Sequence, residues 1–277
     1  MIDIVRYQAS LPGPHLLLLG GVHGDEKPGV LALEKLMTEL EAGRLRPRRG
    51  TLTLAPRVNA EAVRLGLHGV DENLNRIVRR HAAPATREQA LANELLPLLE
   101  AADATLDLHG TPAPSPPFVF LDDESPETRA WAESLGARFL LTGWPALYAG
   151  GKTITTTECA HALGKLALTV EVGQNDDGAC AELGLAFAVR SMAHFGLTDA
   201  PSPARPPRTL RFTRVVYRER EGSFARAWSN FDPVSKGELL ARRADGTGLT
   251  APEDSFLVMP FSDAKFGEEW YYLAVPV

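Results

Sequence analysis

The sequence predicts an α/β fold: a mixed, mostly parallel sheet flanked by helices, with a small β-rich domain at the C-terminal end. Three observations predict it. Leu16 to Leu19, Ala104 to Leu108 and Ala167 to Val172 are strand-length runs dominated by apolar residues. They lack the polar alternation of a half-wetted strand, so both faces are expected to be covered. Segments of helical spacing fall between them, the βα alternation of a parallel sheet. Beyond a Pro-rich stretch from Thr198 to Arg208, the texture changes to short strand-like runs punctuated by Gly, Asp and Pro.

The elements follow in order. Leu16 to Leu19 ends in Gly20-Gly21, a strand running into a turn. Pro28 fits a first helical turn, and Val30, Leu33, Leu36, Met37 and Leu40 recur at helical spacing, so a helix spans Pro28 to Leu40. Gly43 and Pro47 lie where helix-stopping residues belong. Thr51 to Ala55 is a second strand, and Arg57 to Arg76 has no clean period and reads as a long loop. A helix is expected over Arg87 to Ala101, with a kink at Pro97. Ala104 to Leu108 is a strand, Thr111 to Pro117 a loop, Phe118 to Leu121 a short strand and Pro126 to Leu135 a helix. Ala167 to Val172 is a further strand and Ala179 to Phe195 a helix. In the tail, Leu210 to Tyr217, Gly222 to Trp228, Glu238 to Arg242, Ser255 to Pro260 and Trp270 to Val275 read as strands. The expected division is an α/β domain over residues 1–200 and a β-rich domain over 208–277.

Composition narrows the function. A length of 277 residues fits one large α/β domain with an appendage. With 44% hydrophobic and 23% charged residues, general disorder is ruled against. A formal net charge of -6 lacks the broad positive field that attracts phosphate backbones, so no nucleic acid partner is expected. No apolar run is long enough to span a bilayer, and the N-terminus lacks the features of a secretory signal. Two cysteines, Cys159 and Cys180, make a disulfide framework unexpected, so the cytoplasm is the expected compartment.

The motif carrying most chemistry is Gly20-Gly21-Val22-His23-Gly24-Asp25-Glu26. A His and a Glu three residues apart, in a tight turn or first helical turn, face the same way. Imidazole nitrogen and carboxylate oxygen suit zinc, whose catalytic sites take three protein ligands and leave one position open. His109, in Leu106-Asp107-Leu108-His109-Gly110, is the third candidate, because the C-terminal ends of parallel strands meet at one edge. One Zn2+ per chain is expected, on His23, Glu26 and His109. Asp107, two residues earlier on the same strand face, can fix the tautomer of a ligand imidazole. Glu171 sits in a buried strand, where an unpaired carboxylate is costly, which fits a general acid/base. Asn75-Arg76 places an amide beside a guanidinium able to hold a carboxylate through two parallel bonds.

As an ordered set these residues resemble the succinylglutamate desuccinylase/aspartoacylase family, a branch of the zinc carboxypeptidase-like fold. The matching pieces are Gly-Gly-Val-His23-Gly-Asp-Glu26, Asn59-Ala-Glu-Ala leading to Asn73-Leu-Asn75-Arg76, Asp107-Leu-His109-Gly-Thr, and Thr169-Val-Glu171-Val-Gly. The resemblance implies His23, Glu26 and His109 as zinc ligands, Glu171 as general acid/base, and Asn75 and Arg76 as binders of the substrate α-carboxylate. It implies hydrolysis of a small N-acyl amino acid. Two departures bear on substrate. An ungapped reading puts His68 where the family has a carbonyl-polarising Arg, with Arg64 four residues earlier, so His68 is the catalytic candidate there. Thr155 to Lys165 holds no Arg, although aspartoacylases carry one shortly before the catalytic Glu to read an acidic side chain. In the tail, Tyr271 or Tyr272 matches a pocket-closing tyrosine, and Tyr271 is the residue assigned. The competing readings are a peptide carboxypeptidase, a deacetylase of another acylated metabolite such as a diamino acid, and a non-catalytic zinc-binding module.

Overall fold

A computed structural model describes residues 1–148, 154–200, 203, 205–219 and 221–277. The Pro-rich stretch from Thr198 to Arg208 therefore lies partly outside the described residues. The N-terminal part supplies β1 (Val5–Gln8), β2 (Leu11–Gly20), α1 (Lys27–Glu41), β3 (Arg49–Ala55), α2 (Ala60–Leu65), α3 (Arg87–Ala101) and β4 (Ala104–Thr111). It continues with β5 (Phe118–Phe120), α4 (Pro126–Leu135), β6 (Phe139–Thr142), α5 (Trp144–Leu147), α6 (Thr156–Ala162), β7 (Leu166–Gln174) and α7 (Cys180–His194). The remaining strands are β8 (Arg208–Tyr217), β9 (Gly222–Phe224), β10 (Asp232–Val234), β11 (Leu239–Arg243), β12 (Gly248–Thr250), β13 (Ser255–Val258) and β14 (Glu269–Pro276).

One sheet of 11 strands, ordered β1-β3-β2-β4-β7-β5-β6-β8-β14-β13-β10, carries the molecule. Its centre, β3-β2-β4-β7, is parallel, while β5 runs antiparallel to β7 and β14 antiparallel to β8. The fold class is the mixed α/β arrangement expected. The tail is β-rich as expected, and β8, β14, β13 and β10 extend the main sheet. The parallel pairing of β6 with β8 joins the two parts. Only β12, β11 and β9 form a sheet of their own.

The unbroken apolar run of β2 divides between two layers. Leu16 and Leu18 point into a cluster with Leu33 and Leu36 of α1 and Phe187 and Met192 of α7. Leu17 and Leu19 point the other way, against Ala92, Leu95 and Leu99 of α3. Each such leucine contributes about 1.5–3 kcal/mol by leaving water. This two-sided cover leaves the strand ends as the place where polar groups can gather.

Some expectations need correction. Arg57 to Arg76 is not one loop: it holds α2 and a 3-10 turn at Leu74–Arg76. Asn59 starts α2 by accepting from the Ala62 amide, and Gly66 ends it at φ +65°. A six-residue helix is too short for the periodicity that a sequence reading relies on. Helix α3, by contrast, spans Arg87–Ala101 as expected, with Pro97 inside it. The strand expected over Gly222 to Trp228 stops at Phe224. No helix among the described residues is long and apolar enough to cross a membrane.

Candidate active site

The site lies where β2, β4 and β7 end. The register places Leu19 beside Asp107, and His109 beside Glu171, so the parallel strands deliver their terminal residues to one edge. After β2 the chain turns at Gly21, whose φ of +62° favours glycine. Gly24 then passes so close to α2 that a Cβ there would lie 2.0 Å from the Ala62 carbonyl carbon. The turn is thereby pressed against α2, and Glu26 becomes the residue that opens α1.

His23, Glu26 and His109 come together, all buried, with candidate ligand atoms within 4.8 Å of one another. His23 Nδ1 lies 2.9 Å from Glu26 Oε1, and His109 Nδ1 lies 2.7 Å from Glu26 Oε2. The two Nδ1 atoms are 3.2 Å apart. What surrounds each ring shows which nitrogen carries hydrogen. His23 Nε2 donates to Asn73 Oδ1 at 3.0 Å. His109 Nε2 faces Asp107 Oδ2 at 2.9 Å, off the straight line of a good hydrogen bond. With hydrogen on both Nε2 atoms, two Nδ1 lone pairs point at each other beside a carboxylate. Such lone pairs repel unless a cation lies between them. The donor set of two imidazoles and one carboxylate is what zinc prefers.

The charge balance of the site favours positive charge, whether a proton or a metal ion, beside Glu26 and Asp107. Burial pushes the His109 pKa down, but the Asp107 and Glu26 carboxylates overcome it and hold it well above the usual histidine range. Burial pushes His23 down to about 4, helped by the neighbouring His68. Burial opposes ionisation of Glu26, yet the two imidazoles hold it well below the usual carboxylate range. Carboxylates thus outweigh imidazoles as charged groups, which makes the spot a well for a positive ion.

Asp107 stands where its role as orienter requires, buried, with Oδ2 also accepting from Thr156 Oγ1 at 2.5 Å. Glu171 lines the same cavity, and its Oε2 is buried without a hydrogen-bond partner. Burial, reinforced by the charge of Glu26, raises its pKa well above the usual range. A carboxyl group whose proton is held more tightly than usual is suited to general acid/base work.

The other candidates sort into those the cavity gathers and those it leaves out. Asn75 and Arg76 both line it. The Asn75 Oδ1 accepts from the Thr156 amide at 2.8 Å, which fixes the side chain. Arg76 Nη2 lies 3.6 Å from Glu269 Oε1, and its guanidinium sits 5.7 Å from the Trp144 ring centroid. His68 is at the rim, its ring stacked on His23 at 3.7 Å. Its Nδ1 donates to Asp25 Oδ1 at 3.1 Å, and its Nε2 accepts from Asn73 Nδ2 at 3.2 Å. Arg64 is outside, paired with Glu61 on the surface of α2. Tyr271 requires a correction. Strand alternation turns it away from the cavity, into a cluster with Trp270 and Leu273. Its neighbour Tyr272 faces the cavity and reaches Tyr148 Oη at 2.6 Å. Tyr148 in turn donates to Glu269 at 3.0 Å.

The sequence reading missed Asn73, Asp122, Trp144, Tyr148 and Glu269, all but Tyr148 among the residues lining the cavity. Asn73 was within reach, since it stands two residues before Asn75 in the same motif. Asp122 was marked only by being a carboxylate just past an apolar strand. Trp144 and Tyr148 sit on and beside a four-residue helix that leaves no periodic trace.

The cavity has a volume of about 890 Å³, and Phe261, Lys265, Glu269 and Tyr272 of the C-terminal part form one of its walls. Residues 12–192 match the succinylglutamate desuccinylase/aspartoacylase catalytic domain. The chain is 30% identical to a succinylglutamate desuccinylase of Burkholderia pseudomallei, over 91% of this chain and 77% of the relative. It is 29% identical to an N-alpha-acetyl-L-2,4-diaminobutyric acid deacetylase of Halomonas elongata, over 85% of this chain and 72% of the relative. Its fold is similar to that of the succinylglutamate desuccinylase/aspartoacylase of Rhodobacter sphaeroides. The TM-score is 0.80 at 22% identity, covering 100% of this chain and 90% of that one.

Proposed function

Because the chain belongs to the succinylglutamate desuccinylase/aspartoacylase family of acyl-amino-acid hydrolases, we propose that it is a zinc-dependent hydrolase of a small N-acyl amino acid. The observation that carries this reading is the facing pair of Nδ1 atoms, 3.2 Å apart and both beside the Glu26 carboxylate. His23, Glu26 and His109 are the proposed ligands. Zinc held there would supply Lewis-acid activation of water and of the scissile carbonyl.

The chain's own residues do the rest. The unpartnered Glu171 carboxylate accepts a proton from the attacking water and then delivers it to the nitrogen of the leaving amine. The C–N bond breaks as that proton arrives, giving a carboxylate and a free amino acid. Arg76 and the Asn75 amide hold the substrate α-carboxylate. Asp107 and Asn73 keep hydrogen on the outer nitrogens of His109 and His23, so that the inner lone pairs stay aimed at the cation. The wall formed by the C-terminal part suits a small substrate better than a long peptide. An intact Glu171 speaks for catalysis rather than for a metal-binding scaffold.

The test is metal analysis of protein purified without chelator, followed by a turnover screen over N-acetyl, N-succinyl and N-formyl amino acids. We expect one zinc per chain and release of free amino acid, abolished by chelation and restored by zinc. Absence of metal together with silence after zinc addition would overturn the proposal.

A further inference from the structure

The cavity holds a second carboxylate that the proposed mechanism does not use. Asp122 follows β5 and lines the cavity together with Phe120, Trp144 and Thr157. Its Oδ1 is buried without a partner. Its Oδ2 receives only the Thr157 hydroxyl at a long 3.4 Å. Among the described residues no cation pairs with it. The cavity guanidinium, Arg76, is engaged by Glu269 and by the Asn75 carbonyl. The charge that acts on Asp122 is that of another carboxylate, Glu158, which caps the Thr155 amide. A buried carboxylate left short of donors beside a substrate cavity costs stability unless the ligand brings the missing donor.

The position of Asp122 says which part of the ligand arrives there. Asn75, half of the proposed α-carboxylate clamp, is bonded to the Thr156 amide, and Asp122 touches the next residue, Thr157. The clamp and Asp122 therefore flank the start of α6 on adjacent residues. The amino acid moiety, rather than the acyl group, is held next to Asp122. Phe120 and Trp144 meet edge to face, with centroids 5.2 Å apart, and also line the cavity. Aromatic faces beside a carboxylate suit a small ammonium group.

We propose that Asp122 determines side-chain specificity and selects N-acyl amino acids that carry a second, protonated amine. This rests on the hydrolase reading above. An ammonium gives Asp122 both a charge partner and the donor its buried oxygen lacks. An acidic side chain would meet the like charges of Asp122 and Glu158, while the Arg76 guanidinium is engaged by Glu269. A neutral side chain would leave the Asp122 oxygen unpartnered.

The test compares kcat/KM for Nα-acetylornithine, Nα-acetylnorvaline (a neutral side chain of similar shape) and N-acetylglutamate, in the zinc-loaded parent and in Asp122→Asn. We expect the parent to prefer the ornithine derivative by at least about tenfold over the norvaline derivative. Asp122→Asn should lower that ratio by about tenfold or more, with norvaline turnover held within about threefold. A parent that cleaves the norvaline or glutamate derivative as well as the ornithine one overturns the proposal. So does an unchanged ratio in the variant. Calorimetric binding of the ornithine and norvaline derivatives to Glu171→Gln provides a readout that needs neither turnover nor a folded Asp122 variant. Tighter binding of the ornithine derivative, by about fivefold or more, supports the subsite, and equal binding overturns it. If no N-acyl amino acid is cleaved but the binding preference holds, the hydrolase reading fails and the amine subsite stands.

Discussion

At one end of the cavity the outer nitrogen of His23 and both nitrogens of His68 have partners in Asn73 and Asp25, and the inner His23 nitrogen faces Glu26. At the other end Asp122 keeps a buried oxygen that nothing in the described protein satisfies. At the first end the candidate ligand rings are oriented by the protein alone, as a site built around a point charge has to be, while Glu171 beside them keeps an unpartnered oxygen for the proton it would carry. The second end is left incomplete, and an incomplete buried carboxylate discriminates between ligands. The comparison teaches where each kind of perturbation should be felt: changes at the first end in metal content and turnover, changes at the second in substrate choice and stability.

The sharpest break of that comparison lies at Glu171, which lines the first end yet is not a proposed ligand. We expect Glu171→Gln to keep its zinc while losing about 10³–10⁴-fold in kcat. Metal content and single-turnover rates check this together. Near-normal rates would remove Glu171 from the proton path. Arg76 tests the middle of the cavity. Arg76→Ala should raise KM about 10–100-fold for substrates with a free α-carboxylate and change kcat less. Substrates amidated at that carboxylate should be nearly indifferent, and an equal loss on both would argue against the clamp.

The two ends also differ in how far the sequence disclosed them. His23, Glu26, His109 and Glu171 are legible because each follows or ends an apolar strand run, and parallel strand ends meet whatever the loops do. The covered strands are legible for the same reason, since burial on both faces writes an unbroken apolar run. Asp122, Trp144 and Tyr148 are not legible in this way. They meet through the antiparallel insertion of β5 beside β7 and through the four-residue helix α5, neither of which leaves a period. Tyr148, Glu269 and Tyr272 meet because β14 pairs with β8, far from α5 in the chain. The tail looked separate because its composition changes after the Pro-rich stretch. Composition does not report that β8 pairs with β6 and carries the sheet onward.

Stability against pH sharpens the contrast at the second end. Burial, with the Glu158 charge adding to it, raises the Asp122 pKa from 3.8 to about 7. Between those values the folded chain holds a proton that the unfolded chain has released. Stability therefore falls as pH rises from about 4 through about 7, and the full penalty applies above 7. Asparagine carries no such proton. We expect Asp122→Asn to be more stable than the parent by on the order of 1–3 kcal/mol at pH 8, with the gain vanishing near pH 4. Denaturant unfolding across that range measures it. An unchanged pH slope would mean that Asp122 releases its proton in the folded chain as readily as in the unfolded one.

The smallest effect tests a single step along β14. Tyr271 and Tyr272 are adjacent and nearly fully buried, so neither sequence nor burial separates them. Strand alternation does, sending Tyr272 toward Tyr148 and the cavity, and Tyr271 toward Trp270 and Phe224 on the opposite face. Tyr272→Phe removes the hydroxyl that donates to Tyr148, which in turn bonds Glu269 beside Arg76, so the guanidinium loses part of its support. We expect a rise in KM of about 3–10-fold, of the size a neutral hydrogen bond supplies. Tyr271→Phe should leave kcat and KM within about twofold. Equal losses from the two variants would mean that the wall acts through packing of the whole strand, because the hydroxyl network touches only one of the pair.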